Sequence, residues 1–323
     1  MIVTEPHRPP SQHGAPQRSD RLATARRAAG IAFVLAVCAY LVYKVSVLGW
    51  YDVLASLPVS PWFYILFVVR FLSLPLFEII IYRRFWRFSV ADSIPVFLRK
   101  RVYNHALVDY SGEAYFYLWA RKNSRDPETR VFSIIKDVNI ASAMVAIMVT
   151  IALLLVFAGS HPVYHVDSFL PSANLYLWIF AILGLVSIGL LFAFRRRVMS
   201  FSPADTVVVS LLHITRLTVV LALQALQWWV AIPSVPLADW LFFLTLYMVL
   251  GRLPVIPSKD LTFLAVAIAL AGTVSAEETA VSAMFLANLA LYQSANLLAY
   301  LGTSFRDHAT IIGTARKGRS NHA

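Results

Sequence analysis

His105, Asp109 and Glu113 follow one another at four-residue spacing. On one helix face that spacing gathers an imidazole and two carboxylates, the set from which an acid–base pair or a divalent-metal site is built. No second His or Cys lies near enough to complete a zinc set, and Gly112 interrupts the helix before Glu113. The preferred reading is therefore the polar wall of a cavity, in which Asn104, Asp109 and Glu113 reach a headgroup, and no metal site is assigned. Two arginines offer a different chemistry. Arg70 sits near the middle of an apolar stretch, with Glu78 eight residues on, past Pro75. Arg216 sits likewise, with His213 before it and Gln224 eight residues after. An arginine at bilayer depth costs at least ~2.5 kcal/mol on insertion scales, so each faces the protein interior and a partner. Either it locks two helices as an ion pair, or it binds an anion such as a lipid phosphate; the second reading is preferred. Arg252, Lys259 and Asp260 form a third polar group, set around a proline-containing turn at Pro254 and Pro257.

The elements that position these residues follow from hydropathy. Hydrophobic residues make up 59% of the 323, the mean hydropathy is +0.67, and soluble domains lie nearer 45–50% apolar. The expectation is an all-α, polytopic membrane protein with six long spans at 28–48, 62–82, 138–158, 174–194, 206–230 and 280–301. Residues 1–27 are proline-rich and polar and read as a disordered segment, not a cleavable signal peptide. Residues 302–323 read as a cytoplasmic tail.

Between the second and third spans lies a polar hairpin, 91–122. It reads as a helix from Arg99 to Tyr110, a break at Ser111 and Gly112, and a short helix from Glu113 to Trp119. Val102, Ala106, Leu107 and Tyr110 share one side of the first helix; Arg101, Asn104, His105 and Asp109 share the other. Too polar to face lipid, such a hairpin among membrane spans lines a cavity filled by water or substrate. Between the fifth and sixth spans, 240–252 and 261–272 are short apolar pieces of about 18–20 Å each, less than the ~30 Å hydrocarbon core. Either they are tilted spans with snorkelling ends, or they form a re-entrant hairpin; the hairpin is preferred.

Basic residues cluster after alternate spans. Residues 49–61, 159–173 and 231–239 contain no Lys or Arg. The positive-inside rule then places both termini in the cytoplasm of a multi-pass protein of a bacterial-type inner membrane. Trp50, Trp62, Trp178, Trp228, Trp229 and Trp240 fall where interfacial aromatic belts are expected. The halves 28–158 and 174–301 each read span, span, broken polar hairpin, span. Arg70 falls 42 residues after position 28, and Arg216 falls 42 after position 174. Three spans per unit make the second unit inverted. Inverted repeats with broken helices in matching places point to a transporter-type site.

The formal charge of +11 reflects this topology, so no nucleic-acid partner is expected. The lone Cys38 permits no intrachain disulfide and reads as a packing residue. No P-loop, GxSxG elbow, HExxH or paired-aspartate motif of a phospholipid-synthesising transferase is present. No catalytic residue and no cofactor is therefore assigned.

Three stretches carry a family resemblance: Glu78 to Arg87, Tyr103 to Tyr115, and Arg252 to Leu261. They are similar to the arginine–tryptophan end of an early span, and to the two glycine-rich turns with following acids, of the lysylphosphatidylglycerol synthase transmembrane superfamily. That superfamily is a flippase-like membrane module also found as stand-alone proteins. By resemblance, Asn104, Gly112 and Glu113 map onto the first motif, and Pro254, Pro257 and Asp260 onto the second. The chain departs from the pattern in lacking the proline of the first turn and the glycines of the second. Asp137 opens the third span, but Val138 stands where an arginine normally follows. The resemblance implies a flippase-like transporter that moves or exports an anionic or glycosylated lipid, passively or coupled to an ion. A lipid-modifying enzyme using His105, Asp109 and Glu113 is the alternative. So is a non-transporting subunit that docks a cytoplasmic lipid- or glycan-synthesising enzyme through the basic 83–136 region.

Overall fold

The computed structural model describes residues 16–106, 110–160, 173–193, 195–253, 258–274 and 278–320. It is helical, with no strand among those residues. In chain order the helices are α1 (Pro16–Leu48), α2 (Trp50–Ala55), α3 (Pro61–Tyr82), α4 (Val90–Ala106), α5 (Ser111–Asn123) and α6 (Glu128–Ser160). They continue as α7 (Ala173–Ala193), α8 (Arg195–Val198), α9 (Pro203–Ala231), α10 (Leu237–Arg252), α11 (Lys259–Val274) and α12 (Glu278–Ser320). Among the described residues, four helical segments are long and apolar enough to cross a membrane: Pro61–Tyr82, Glu128–Val156, Pro203–Ala231 and Glu278–Ser304. The helices α1 and α7 occupy the other two expected spans. α1 begins at Pro16, within the segment read as disordered, and α12 runs to Ser320. Ala- and Arg-rich stretches such as 22–29 carry good helix formers and no breaker that would stop the helix sooner.

Proline starts two of the spans, at Pro61 and Pro203, where its missing N–H is no loss. Ser202 caps α9, its Oγ accepting from the Asp205 N–H at 3.1 Å. α3 and α9 form the central pair. Arg84 meets Asp205 at 2.9 Å, Glu78 meets Arg216 and Arg70 meets Gln224. Partners advance along α3 as they recede along α9, so the two helices run antiparallel.

The helices around this pair are packed in matching ways. α4 packs on α3, α5 and α12; α10 packs on α9, α11 and α6. α5 packs on α6, as α11 packs on α12. Each hairpin's second helix starts one residue after a non-glycine in the left-handed region, Tyr110 (φ 72°) before α5 and Ser258 (φ 51°) before α11. Each carries an acid in its first turn, Glu113 and Asp260, where the helix dipole favours negative charge. The first hairpin's second helix therefore starts after Tyr110, and Ser111 and Gly112 belong to α5 rather than to a break. The turn prolines Pro254 and Pro257 lie outside the described residues.

Two cores result. One joins α3–α6 through Tyr82, Trp86, Phe97 and Phe116. The other joins α9–α12 through Trp228, Trp240, Phe243 and Phe285. Trp228 and Trp240 are fully buried in that second core, their rings 6.0 Å apart, instead of lying in an interfacial belt. Their amphipathic rings pack better against Phe263 and Phe285 than in a headgroup layer, because α10 and α11 fold back onto α9. Trp50, Trp62, Trp178 and Trp229 are exposed, as the belt expectation requires.

A candidate anion site between two polar hairpins

Gly112 brings the first hairpin together. A Cβ at this position would lie 2.0 Å from the Lys100 carbonyl oxygen and 2.8 Å from the Asn104 amide, so only glycine permits the α4–α5 approach. Asn104 Oδ1 accepts from the Gly112 N–H at 2.7 Å, and Ser111 Oγ donates to the Tyr103 carbonyl at 2.7 Å. That close approach sets Glu113 beside Lys100, at 3.5 Å. Lys100 Nζ also meets Glu78 Oε1 at 2.9 Å, and Arg216 Nη1 lies 3.9 Å from the same oxygen. Arg216 Nη2 donates to Ser142 Oγ at 2.9 Å. The Lys100 side chain is only 3% exposed and lies beside the rings of Tyr82, Phe97 and Phe116. Burial opposes its charge, but Glu78, Tyr82 and Glu113 outweigh that and hold the ammonium above the ordinary lysine range. Two cations and two carboxylates thus form a closed, neutral cluster.

Arg70 is bound differently. Its Nη1 donates to Gln224 Oε1 at 3.0 Å and its Nη2 to Asn288 Oδ1 at 3.1 Å, while Gln227 Nε2 donates to the same Asn288 oxygen. Among the described residues no carboxylate lies within ion-pair distance of Arg70, and its Nε is buried without a hydrogen-bond partner. A cavity of about 40 Å³ opens here, lined by Arg70, Gln224, Tyr247, Asp260 and Asn288, with Tyr292 on one wall. Tyr292 also lines a second cavity of about 230 Å³, whose walls include Glu78, Lys100, Arg101, Asn104 and His105. Arg101 lines the second cavity beside Tyr292, the residue the two linings share. Its guanidinium lies 4.0 Å from the Phe71 ring centroid and 5.2 Å from that of Tyr292, and its Nη1 donates to the Phe71 carbonyl. Its Nε, too, is buried without a partner among the described residues. His105 ties the hairpins together, with one ring nitrogen 2.9 Å from Gln293 Oε1 and the other 3.5 Å from Asp260 Oδ2.

No family model matches the chain, and neither a curated protein nor a solved structure matches it.

Of the residues singled out by the sequence, Arg70, Glu78, Asn104, His105 and Asp260 line these two adjoining cavities. Glu113 and Arg216 join them through Lys100 and Glu78. Glu113 also lines a third, open and mainly apolar groove of about 620 Å³ between α5 and α6. Arg252 is exposed at the end of α10, and Lys259 is half-buried at the start of α11; neither lines the two cavities. Asp109 lies outside the described residues. His105 and Glu113 take different partners, and no group of three His, Cys, Asp or Glu among the described residues could hold a metal ion.

Sequence reasoning passed over Lys100, Arg101, Gln224 and Asn288 as site residues. Polar side chains within apolar spans were the available signal for the last two. Asp137, fully buried, has a separate task. Its Oδ2 accepts from the N–H groups of Ser200 and Phe201 at 2.6 and 2.9 Å, fixing the chain that enters α9.

Proposed function

We propose that this chain is a membrane transporter of flippase type. In this reading it moves an anionic or glycosylated lipid headgroup across the membrane through the two adjoining cavities, passively or with an ion. The observation that carries the reading is Arg70. It is a cation midway along a membrane-length helix, held by uncharged amides and beside a cavity, where an arginine with only a structural task would be paired with a carboxylate. Among the described arginines and carboxylates of the Arg70 end, Arg70 and Arg101 stand against Asp260, a surplus of one positive charge.

The proposal includes an inverted repeat of two three-span units, with both termini cytoplasmic. Its support is a constant interval. Arg70 and Arg216, Glu78 and Gln224, and Ser142 and Asn288 are each 146 positions apart. Arg70 binds Gln224 and Asn288; Arg216 binds Glu78 and Ser142. Each arginine therefore contacts the counterparts of the other's partners, the pattern a two-fold axis within the membrane plane produces.

The test uses purified protein in vesicles of phosphatidylcholine with a tenth phosphatidylglycerol, following inward and outward movement of fluorescent phosphatidylglycerol. Wild type moves it, and Arg70→Ala slows movement at least tenfold while eluting as folded protein. Movement by Arg70→Ala at the wild-type rate overturns the reading. Labelling of Lys259→Cys in a Cys38→Ala background tests the hairpin. Protection from a cytoplasmic reagent keeps α10 and α11 re-entrant, whereas ready cytoplasmic labelling makes them two full spans.

A further inference from the structure

The two arginine clusters differ most simply at the acceptor eight residues beyond the equivalent arginine: Glu78 facing Arg216, Gln224 facing Arg70. Both arginines lie at bilayer depth and both Nε atoms are buried, so both require neighbours that can offset a charge. For Arg216 the chain supplies them itself, since the carboxylates of Glu78 and Glu113 balance Arg216 and Lys100. For Arg70 it supplies amides. The carboxylate that shares the cavity, Asp260, offsets only one of the two guanidinium charges and lies outside ion-pair distance of Arg70. Arg101 adds a second cation in the larger cavity, beside the shared Tyr292, again with an Nε that is buried and unpartnered among the described residues.

We infer that the Arg216 cluster is a copy of the ligand site already filled by the chain's own carboxylates, and that Gln224 keeps the Arg70 copy open for one external anion. This rests on the anion-binding reading above and deepens it. The surplus of one charge selects a monoanion, and the donors are guanidinium N–H groups, which match phosphate oxygens in geometry. A phosphodiester is the group that meets both conditions. Its body fits the 230 Å³ cavity beside Lys100, Arg101 and Asn104, and its anionic oxygens turn past Tyr292 toward Arg70. One such anion binds per chain. A glutamate in place of Gln224 would set a carboxylate against Arg70 in nearly the same volume and close this copy as Glu78 closes the other.

The experiment titrates detergent-purified full chain with three soluble probes: dihexanoyl phosphatidylglycerol (a monoanionic diester), dihexanoyl phosphatidylcholine (the same diester with a balancing cation) and inorganic phosphate. Heat release gives affinity and stoichiometry, and thermal unfolding reports the fold of each variant. The expected result is one phosphatidylglycerol bound per chain at least tenfold more tightly than phosphatidylcholine. Gln224→Glu weakens that binding more than tenfold, and Gln224→Met, which removes the same hydrogen bond without adding charge, weakens it by only about threefold. Phosphate binding as tightly as phosphatidylglycerol would identify a free-phosphate site instead of a lipid headgroup site and overturn the diester assignment. Equal losses in the two Gln224 variants would overturn the charge argument. Should Gln224→Glu fail to fold, phosphatidylcholine binding to wild type as tightly as phosphatidylglycerol still sinks the inference. Binding that behaves as expected in a chain that moves no lipid in vesicles retires the transport reading and leaves the site. Lipid movement that survives Gln224→Glu undiminished does the reverse.

Discussion

Arg216 and Arg70 belong to the same antiparallel helix pair and differ in what surrounds them. Around Arg216, Lys100, Glu78 and Glu113 complete a neutral cluster, with aromatic rings beside Lys100. Around Arg70 stand Gln224, Asn288 and Gln227, and two cavities adjoin. The geometry of the two is alike and the charge is not. The charge of Arg216 meets counter-charges within the chain, whereas Arg70 meets only amide dipoles. An acid-to-amide difference, Glu78 against Gln224, is the one that changes the charge at the position eight residues beyond each arginine.

That contrast can be broken most forcefully at Lys100. Lys100→Met strands two carboxylates beside one arginine, and losing one partner of a buried ion pair costs about 3–5 kcal/mol. The expected outcome is a large fall in the unfolding midpoint in detergent, or loss of folded protein. An unchanged midpoint would show that the Arg216 cluster is not a closed structural unit. Gly112→Ala comes next. Its Cβ meets the Lys100 carbonyl, so α4 and α5 must part, at a cost of about 1–3 kcal/mol by the usual scale for overpacking. The same parting moves Glu113 from Lys100. The midpoint should fall by less than in Lys100→Met, and a Gly112→Ala protein of wild-type stability would mean the hairpin tolerates the separation.

Glu78→Gln sharpens the comparison, because it gives Arg216 the acceptor that Arg70 has. Lys100 still keeps Glu113, so the expected loss is smaller than in Lys100→Met, about 1.5–3 kcal/mol for a hydrogen bond to a charged group. The same substitution should leave the midpoint more sensitive to salt, since an unbalanced cation remains for anions to screen. Asp260→Asn is the mildest. The His105–Asp260 pair is 3.5 Å long with both side chains partly exposed, so the stability change should stay below about 1 kcal/mol. A larger fall would make that link a principal joint between the hairpins.

The sequence showed the class, the polar hairpin and both mid-helix arginines, because each is a local departure from an apolar background. The 3.6-residue period put Asn104 and His105 on the same side as Arg101, and all three line the 230 Å³ cavity. Local signals failed where the helix ends depend on their neighbours. Ser111 and Gly112 do not break the helix but open α5, because Gly112 is taken up in the α4–α5 contact instead. They failed also at Trp228 and Trp240, whose composition fits an interface while the fold buries them.

By itself the amino-acid order determined an all-helical chain with helices long and apolar enough to cross a membrane, and where its charges would gather. Those follow from the transfer of apolar side chains and the insertion cost of charged ones, which act residue by residue. Only the tertiary structure decided that Glu78 answers Arg216 rather than Arg70, its neighbour in sequence, and that Gln224 and Asn288 answer Arg70. Coulomb and hydrogen-bond energies depend on distances of a few ångströms between residues 138 to 218 positions apart, and no local pattern in the chain encodes them.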